Sequence, residues 1–147
     1  MTRLLILGGS DAGISAALRA REVDPSTQVA VVVADSFPNY SICGLPFYLS
    51  GEVSDYHDLA HRTEEEIMDK EIGLLLDHTA RSIDPVNHTV TMTDDTDVAH
   101  QIEYDQLIIA TGAVPLRPAI EGLDLPGVYF LRSMDDSFAI HEFMNVH

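Results

Sequence analysis

The 147-residue sequence contains a single cysteine, Cys43, and few basic residues, with eight Lys and Arg against 24 Asp and Glu. One thiol cannot form an internal disulfide, and an unpaired thiol is safest in a reducing compartment, so we expect a cytoplasmic protein. The formal net charge of −16 would repel phosphate backbones and anionic lipid surfaces, which argues against nucleic-acid and membrane partners. The acidic excess reflects either ordinary surface solvation or an adaptation to high salt, and the sequence leaves both open.

Long hydrophobic runs are also missing. The apolar stretches at residues 4–7 and 29–34 are far too short to span a bilayer, and no extended apolar segment follows Arg3 to act as a secretory signal. With 46% hydrophobic residues, a chain of this length can bury one core, whereas two full domains would be cramped. We therefore expect a single domain.

The first 35 residues predict a strand, a glycine turn, a helix and a second strand. Residues 3–7 are apolar, residues 8–13 read Gly-Gly-Ser-Asp-Ala-Gly, and residues 14–22 are rich in Ala, Leu and Arg, as in a helix. After a helix stop at 24–26, residues 28–34 form a continuous β-branched run, typical of a parallel strand covered on both faces. This order is that of a βαβ unit.

The glycine turn predicts nucleotide binding. A helix N-terminus presents free backbone N–H groups and a positive dipole to a diphosphate, and side chains there would block its approach. Gly8 would make the tight turn and Gly13 would let the helix pack on the strand, although Ser10 replaces the middle glycine of the G-x-G-x-x-G pattern. Asp35, at the end of the second predicted strand, is the expected acceptor for ribose hydroxyls. An ordinary strand–helix turn is the alternative.

The rest of the chain predicts further strands and two helices. Thr63 and Glu66 have the spacing of a capping box at the start of a helix over residues 63–70. Period-2 patterns around a turn at 84–87 predict a small antiparallel excursion over residues 80–84 and 88–93. Strands are also expected at 72–76, 107–110 and 128–131, and a closing helix at 135–146.

Cys43 is followed by Gly-Leu-Pro, which permits a sharp turn into a short helix, and a helix N-terminus there would favour the thiolate. We interpret Cys43 as a redox thiol beside a cofactor rather than a packing residue. His57 and His61 are spaced i, i+4 with Asp58 nearby, which could place two imidazoles on one helix face. No third ligand is obvious, so we favour surface histidines and predict no metal site.

Three segments together resemble the FAD-binding portion of the pyridine nucleotide-disulfide oxidoreductases. They are the glycine turn with the helix that follows it, residues 43–48 (Cys-Gly-Leu-Pro-Phe-Tyr), and residues 104–113 (Tyr-Asp-Gln-Leu-Ile-Ile-Ala-Thr-Gly-Ala). The resemblance covers nearly the whole chain in order. It is greatest to the single-cysteine subgroup, which includes coenzyme A-disulfide reductases, persulfide reductases, NADH oxidases and NADH peroxidases.

The resemblance implies an α/β fold, a Rossmann-like FAD-binding domain with a parallel sheet and a small antiparallel β excursion. It implies FAD as cofactor, Cys43 as the catalytic redox residue, and NAD(P)H as the electron donor of a full-length, homodimeric parent. The FAD contacts that it implies are Gly8, Ser10, Gly13, Asp35, Ala80, Ala110, Thr111 and Gly112. Ser15 and Arg19 become candidates for the phosphates of a coenzyme A substrate, with a solvated helix position as the alternative for Arg19.

The resemblance is to roughly the first third of such an enzyme. Residues 1–147 are therefore expected to be a partial FAD-binding domain, excised or truncated, without the NAD(P)H-binding and dimerisation domains and with little or no turnover. A lone cysteine is oxidised to a sulfenic acid, a persulfide or a mixed disulfide with a small thiol, so a disulfide, a persulfide, peroxide and oxygen all remain as acceptors. The alternatives are a non-catalytic nucleotide-binding module with an inert cysteine, and a structural or interaction protein.

Overall fold

A computed structural model describes residues 1–146 and divides the chain into two compact units. The first unit consists of Met1–Tyr40 and Arg62–Gly112, and the second of Ser41–His61 and the segment that starts at Ala113. The elements in chain order are β1 (Arg3–Leu7), α1 (Asp11–Val23), β2 (Gln28–Val32), α2 (Leu45–Leu49), α3 (Glu64–Met68), β3 (Ile72–Leu75), β4 (Thr79–Asp84), β5 (Thr89–Thr93), β6 (Ala99–Glu103), β7 (Gln106–Ile109) and α4 (Met134–Val146).

The first unit is built on a parallel four-stranded sheet in the order β3-β2-β1-β7. The register places Leu5 opposite Ala30 on one side and Leu107 on the other. The last four residues of β1 are all apolar because both faces of the strand are buried there, as parallel strands require. Leu4 and Ile6 belong to one core cluster, and Leu5 and Leu7 belong to the other.

α1 covers one face of this sheet and buries Ile14 and Ala17 completely. The helix starts at Asp11, three residues before the predicted start, because Ser10 is its N-cap residue and the turn leads straight into it. α3 carries the predicted capping box: Thr63 Oγ1 accepts from the Glu66 N–H at 3.2 Å, and the Glu66 carboxylate accepts from the Thr63 N–H at 2.8 Å.

A three-stranded antiparallel sheet, in the order β4-β5-β6, packs on the other face. Val90, Met92 and Tyr104 meet Leu5 and Leu7 in that core. The predicted excursion is therefore confirmed, and the α/β class with a parallel sheet and a small antiparallel sheet is correct. β6 was not predicted, because it is largely exposed and its sequence, Ala-His-Gln-Ile-Glu, lacks a β-branched run.

An ion-pair cluster fixes the start of β1 against the turn before β7. The Arg3 guanidinium pairs with Asp105 at 2.9 Å and Glu103 at 2.6 Å, and the Arg3 backbone N–H also donates to Asp105 Oδ2 at 2.7 Å. Hydrogen bonds from the Arg3 side chain and backbone lower the pKa of Asp105 to about 2.

The second unit contains α2, α4 and two 3₁₀ helices, Ile42–Gly44 and Tyr56–Leu59. Edge-to-face contacts among Tyr48, Tyr56 and Phe138 join its segments, with ring centroids 5.1–6.4 Å apart. The predicted closing helix is confirmed as α4. The predicted strand at 128–131 is wrong, because no strand in the described chain pairs with it and the Val128 N–H instead donates to the Leu125 carbonyl in a turn.

Within residues 1–146, every helix is too short or too polar to cross a membrane.

Candidate nucleotide-binding site

The glycine turn between β1 and α1 is closed too tightly for side chains. Gly8 has φ +112°, its N–H donates to the Val32 carbonyl at 2.8 Å, and a Cβ on it would lie 2.2 Å from the Ala110 oxygen. A Cβ on Gly13 would lie 1.8 Å from the Gly8 oxygen. Real Cβ atoms do not approach a carbonyl oxygen this closely, so both positions require glycine. Both roles are those expected from the sequence.

Gly9 is a third crowded glycine of the turn, to which the sequence pattern assigns no role. A Cβ there would lie 2.5 Å from a methyl group of Val33, just beyond the end of β2. The run of two consecutive glycines at 8 and 9 is the signal that could have found it. The backbone of the turn is thus held against both neighbouring strands.

The N-terminus of α1 is suited to an anion. Ser10 is the N-cap, in an extended conformation, and its carbonyl accepts from the Ile14 N–H at 3.0 Å. Within the described chain, the Ser10 hydroxyl makes no capping hydrogen bond, so its side chain leaves the first-turn N–H groups to another partner. A diphosphate is the ligand that such a turn accommodates best.

The segment after β7 lies against the glycine turn. The Ala110 N–H donates to the Leu7 carbonyl at 2.7 Å, Gly112 has φ +66°, and Thr111 and Gly112 are exposed. Because β1 and β7 are parallel, their carboxyl ends meet at one edge of the sheet. The structure therefore brings residues 110–112 together with Gly8, as the resemblance implies.

Asp35 follows β2 at the same edge. Its side chain is half-buried, Oδ1 accepts from the Phe37 N–H at 2.9 Å, and its backbone carbonyl accepts from the Asp77 N–H at 3.2 Å. These contacts hold the carboxylate at the carboxyl end of a central strand, where ribose recognition is expected. Ala80 is the second residue of β4, partly buried against the second core cluster and beside a register shift between Ala80 and Ser82. The segment just before it reaches the end of β2, because the His78 N–H donates to the Val33 carbonyl at 2.9 Å.

Ser15 and Arg19 both lie exposed on α1, one turn apart. The Arg19 guanidinium pairs with the Glu22 carboxylate at 3.0 Å while its side chain stays 72% exposed. Exposed pairs of this kind contribute about 0–1 kcal/mol. Arg19 therefore has the contacts of a solvated helix residue, and the carboxylate of Glu22 competes with any phosphate for it.

Cys43 belongs to the second unit, in the 3₁₀ helix that immediately precedes α2. Its thiol is exposed, so it does not fill a core. The backbone around it is fixed: the Gly44 N–H donates to the Ser41 carbonyl at 3.1 Å, and the Ser41 N–H donates to the Leu59 carbonyl at 2.7 Å. A Cβ on Gly44 would lie 2.6 Å from a terminal methyl group of Leu59, so a larger residue after the cysteine would require the Leu59 side chain to shift. The predicted turn into a short helix is confirmed.

His57 and His61 do not share a helix face. The 3₁₀ helix ends at Leu59 and Ala60 is extended, so the shared helix face that the spacing allowed does not form, and both histidines are exposed. The His57 ring instead hydrogen-bonds Asp55 at 2.6 Å, and the two hydrogen bonds from His57 lower the pKa of Asp55. Nowhere in residues 1–146 do three or more His, Cys, Asp or Glu side chains group as metal ligands would.

A parallel sheet with an open helix N-terminus after β1 and an acid after β2 defines the dinucleotide-binding α/β proteins. Residues 2–144 match the sequence profile of the family described as pyridine nucleotide-disulphide oxidoreductase, and the chain belongs to that family.

The relatives of this chain include several kinds of oxidoreductase. An NADH oxidase from Methanocaldococcus jannaschii is 29% identical over 97% of this chain and 32% of its own length. A CoA-dependent NAD(P)H sulfur oxidoreductase from Pyrococcus abyssi is 35% identical over 96% of this chain and 31% of its own length. The solved structure of an NAD-dependent persulfide reductase from A. fulgidus matches with a TM-score of 0.90 and 34% identity, over 98% of this chain and 27% of that one. The chain thus spans about a third of the length of the curated relatives that it matches.

Proposed function

We propose that this chain is the FAD-binding part of a flavin-dependent NAD(P)H oxidoreductase that uses Cys43 as its redox-active group. The observation that carries the proposal is the family match over residues 2–144, which takes in both the glycine turn and Cys43. The NAD(P)H-binding and dimerisation functions are assigned to further parts of a parent protein. On this proposal the isolated chain oxidises NAD(P)H no faster than free FAD does.

The residues present fit FAD. Gly8 and Gly13 close the turn so tightly that neither position tolerates a Cβ, and the first turn of α1 is left open by the Ser10 side chain. Ser10 and the two glycines would hold the diphosphate, Asp35 the adenosine ribose and Ala80 the adenine side, while residues 110–112 pass close to the cofactor. When bound, FAD would supply two-electron transfer from NAD(P)H to the oxidised form of Cys43.

Cys43 has the exposure that a thiol needs to meet an external substrate. Its thiolate would attack one sulfur of a small disulfide or persulfide, form a mixed disulfide and release the other sulfur as a thiolate or sulfide. Two electrons from NAD(P)H would then cleave the S–S bond of the mixed disulfide, which restores the Cys43 thiolate and releases the second small thiol as its thiolate. The CoA-dependent sulfur oxidoreductase and the persulfide reductase among its relatives support this acceptor class, and the NADH oxidase supports oxygen or peroxide.

Coenzyme A is the small thiol that the proposal favours. Ser15 and Arg19 would contact its phosphates, and displacing Glu22 from Arg19 is the step that this requires. Arg19→Ala should then weaken coenzyme A binding several-fold, with Arg81→Ala, an exposed Arg on β4, as the matched control. If both variants bind coenzyme A equally well, Arg19 does not contact the phosphates of coenzyme A.

Alkylation of Cys43 tests the redox role. An activated thiol should react with iodoacetamide well below pH 8.5, the ordinary range of a free thiol. The measurement is the rate of mass increase against pH, with glutathione as the reference thiol and Cys43→Ser as the blank. Labelling no faster than that of glutathione at pH 6–7 would instead favour a nucleotide-binding module with an inert cysteine.

A further inference from the structure

Asn39 lies buried in the loop that follows β2, where it contacts the glycine turn. Only 1% of its surface is exposed, and its backbone has φ +59°, a conformation that few residues other than glycine adopt. A buried polar side chain in such a conformation is costly unless its hydrogen bonds compensate. Its contacts show what it holds in place.

Three hydrogen bonds join Asn39 to the glycine turn, to the first residue of α1 and to the segment just before α3. The Asn39 backbone N–H donates to the Gly9 carbonyl at 2.7 Å. Its side-chain amide donates to Asp11 Oδ1 at 2.7 Å, and its side-chain oxygen accepts from Arg62 at 3.2 Å. One residue thus contacts both sides of Ser10.

The bond to Gly9 fixes a peptide plane in the turn. Because a trans peptide is planar, with its C=O and N–H on opposite sides, holding the Gly9 carbonyl also sets the direction of the Ser10 N–H. That N–H belongs to the group of donors proposed for the diphosphate. A backbone hydrogen bond therefore connects the loop that contains Asp35 and Asn39 to the glycine turn.

The bond to Asp11 restrains a negative charge. Asp11 is the first residue of α1, so its carboxylate lies in the helix turn whose N–H groups would bind the diphosphate. A carboxylate in a first turn is attracted to those N–H groups and repels a phosphate. The Asn39 amide holds the Asp11 carboxylate, and the Arg62 guanidinium binds the other end of the same amide group. This arrangement limits the competition between the carboxylate and a bound phosphate.

We infer that Asn39 is a positioning residue for the diphosphate site, because its side-chain amide keeps the Asp11 carboxylate from competing with the bound phosphates. Its backbone N–H, which any residue except proline would supply, holds the Gly9–Ser10 peptide. The inference rests on the proposed function, since it presupposes that the turn binds a dinucleotide. It predicts that Asn39 affects the phosphates of a ligand and not its nucleoside.

The test is an NMR titration of the ¹⁵N-labelled chain with ADP and, separately, with adenosine. Asn39→Gly removes the side chain but tolerates the positive φ, and Asp97→Gly does the same at a positive-φ position in the turn between β5 and β6. We expect Asn39→Gly to weaken ADP binding about fivefold to tenfold, as a poorly screened charge in the first turn would. Adenosine binding should stay within about twofold, and Asp97→Gly should change neither.

The double variant Asp11→Asn/Asn39→Gly separates positioning from a merely structural role. Removing the charge should restore most of the ADP affinity that Asn39→Gly loses, whereas a general loosening of the turn would leave the double variant as weak as the single one. Equal ADP affinity in Asn39→Gly and the unsubstituted chain, or no rescue by Asp11→Asn, overturns the inference alone. An unsubstituted chain that binds neither ADP nor FAD overturns the proposed function and this role with it.

Discussion

Replacing Gly13 with alanine would add a methyl group where α1 passes the carbonyl of Gly8. The new Cβ would lie 1.8 Å from that oxygen, 3.0 Å from its carbon and 3.3 Å from a methyl group of Ile6. The clashing atom is backbone in a closed turn, so it has no rotamer to escape to. α1 would have to move away by more than about 1 Å to reach an ordinary contact distance.

Such a movement withdraws Ile14 and Ala17 from the core, where both are fully buried. Displacing packed side chains and their backbone costs about 3 kcal/mol or more. Alanine regains about 1 kcal/mol over glycine through helix propensity. We expect Gly13→Ala to lower the free energy of unfolding by about 2 kcal/mol, which corresponds to a fall in Tm of about 4–8 °C.

Urea denaturation followed by circular dichroism measures this change. Gly73→Ala in β3 is the matched control, because the nearest atom to a Cβ there is the Val29 oxygen at an ordinary 3.6 Å. The control should unfold at the same urea concentration as the unsubstituted chain or a higher one. A Gly13→Ala variant as stable as the control, with ADP binding intact, would refute the close packing of helix and turn.

Three further substitutions test other parts of the structure. Asp105→Asn should reduce the loss of unfolding free energy that the chain shows as pH falls from 4 to 2. The folded-state pKa of Asp105, about 2, lies below its ordinary 3.8, so the stabilisation by its carboxylate is present above pH 4 and is lost as pH falls towards 2. An unchanged loss over this pH range in urea titrations would contradict the Arg3 pairing. Thr63→Ala removes half of the capping box with Glu66 and should cost about 1 kcal/mol, seen as a lower urea midpoint. Cys43→Ser should change stability by less than about 0.5 kcal/mol, because the thiol is exposed; a larger loss would give Cys43 a packing role.

The strand, turn and helix at the N-terminus could be predicted because local chemistry and tertiary structure agree there. β1 is apolar on both faces, and Gly8 and Gly13 occupy positions where a Cβ has no space. The capping box of α3 was equally local, since Thr63 and Glu66 are three residues apart. In each case the signal and its structural reason lie within a few residues of each other.

The remaining features depend on partners far along the chain. β6 forms by pairing with β5 although its own sequence is polar, and residues 128–131 have strand propensity but no partner in the described chain. Asn39 contacts Asp11 across 28 positions and Arg62 across 23, so no local pattern marks it. His57 and His61 are exposed, as the interpretation of surface histidines expects, and their helical spacing has no structural meaning because the 3₁₀ helix ends between them.

Equilibrium titration of FAD with the purified chain tests whether the glycine turn and the start of α1 bind the flavin dinucleotide. Flavin fluorescence should change saturably with one FAD bound per chain, and ADP should displace it, because both occupy the same helix N-terminus. Gly13→Ala should bind more weakly than Gly73→Ala under the same conditions. A folded chain whose addition leaves flavin fluorescence unchanged at millimolar protein, with no displacement by ADP, would contradict the account.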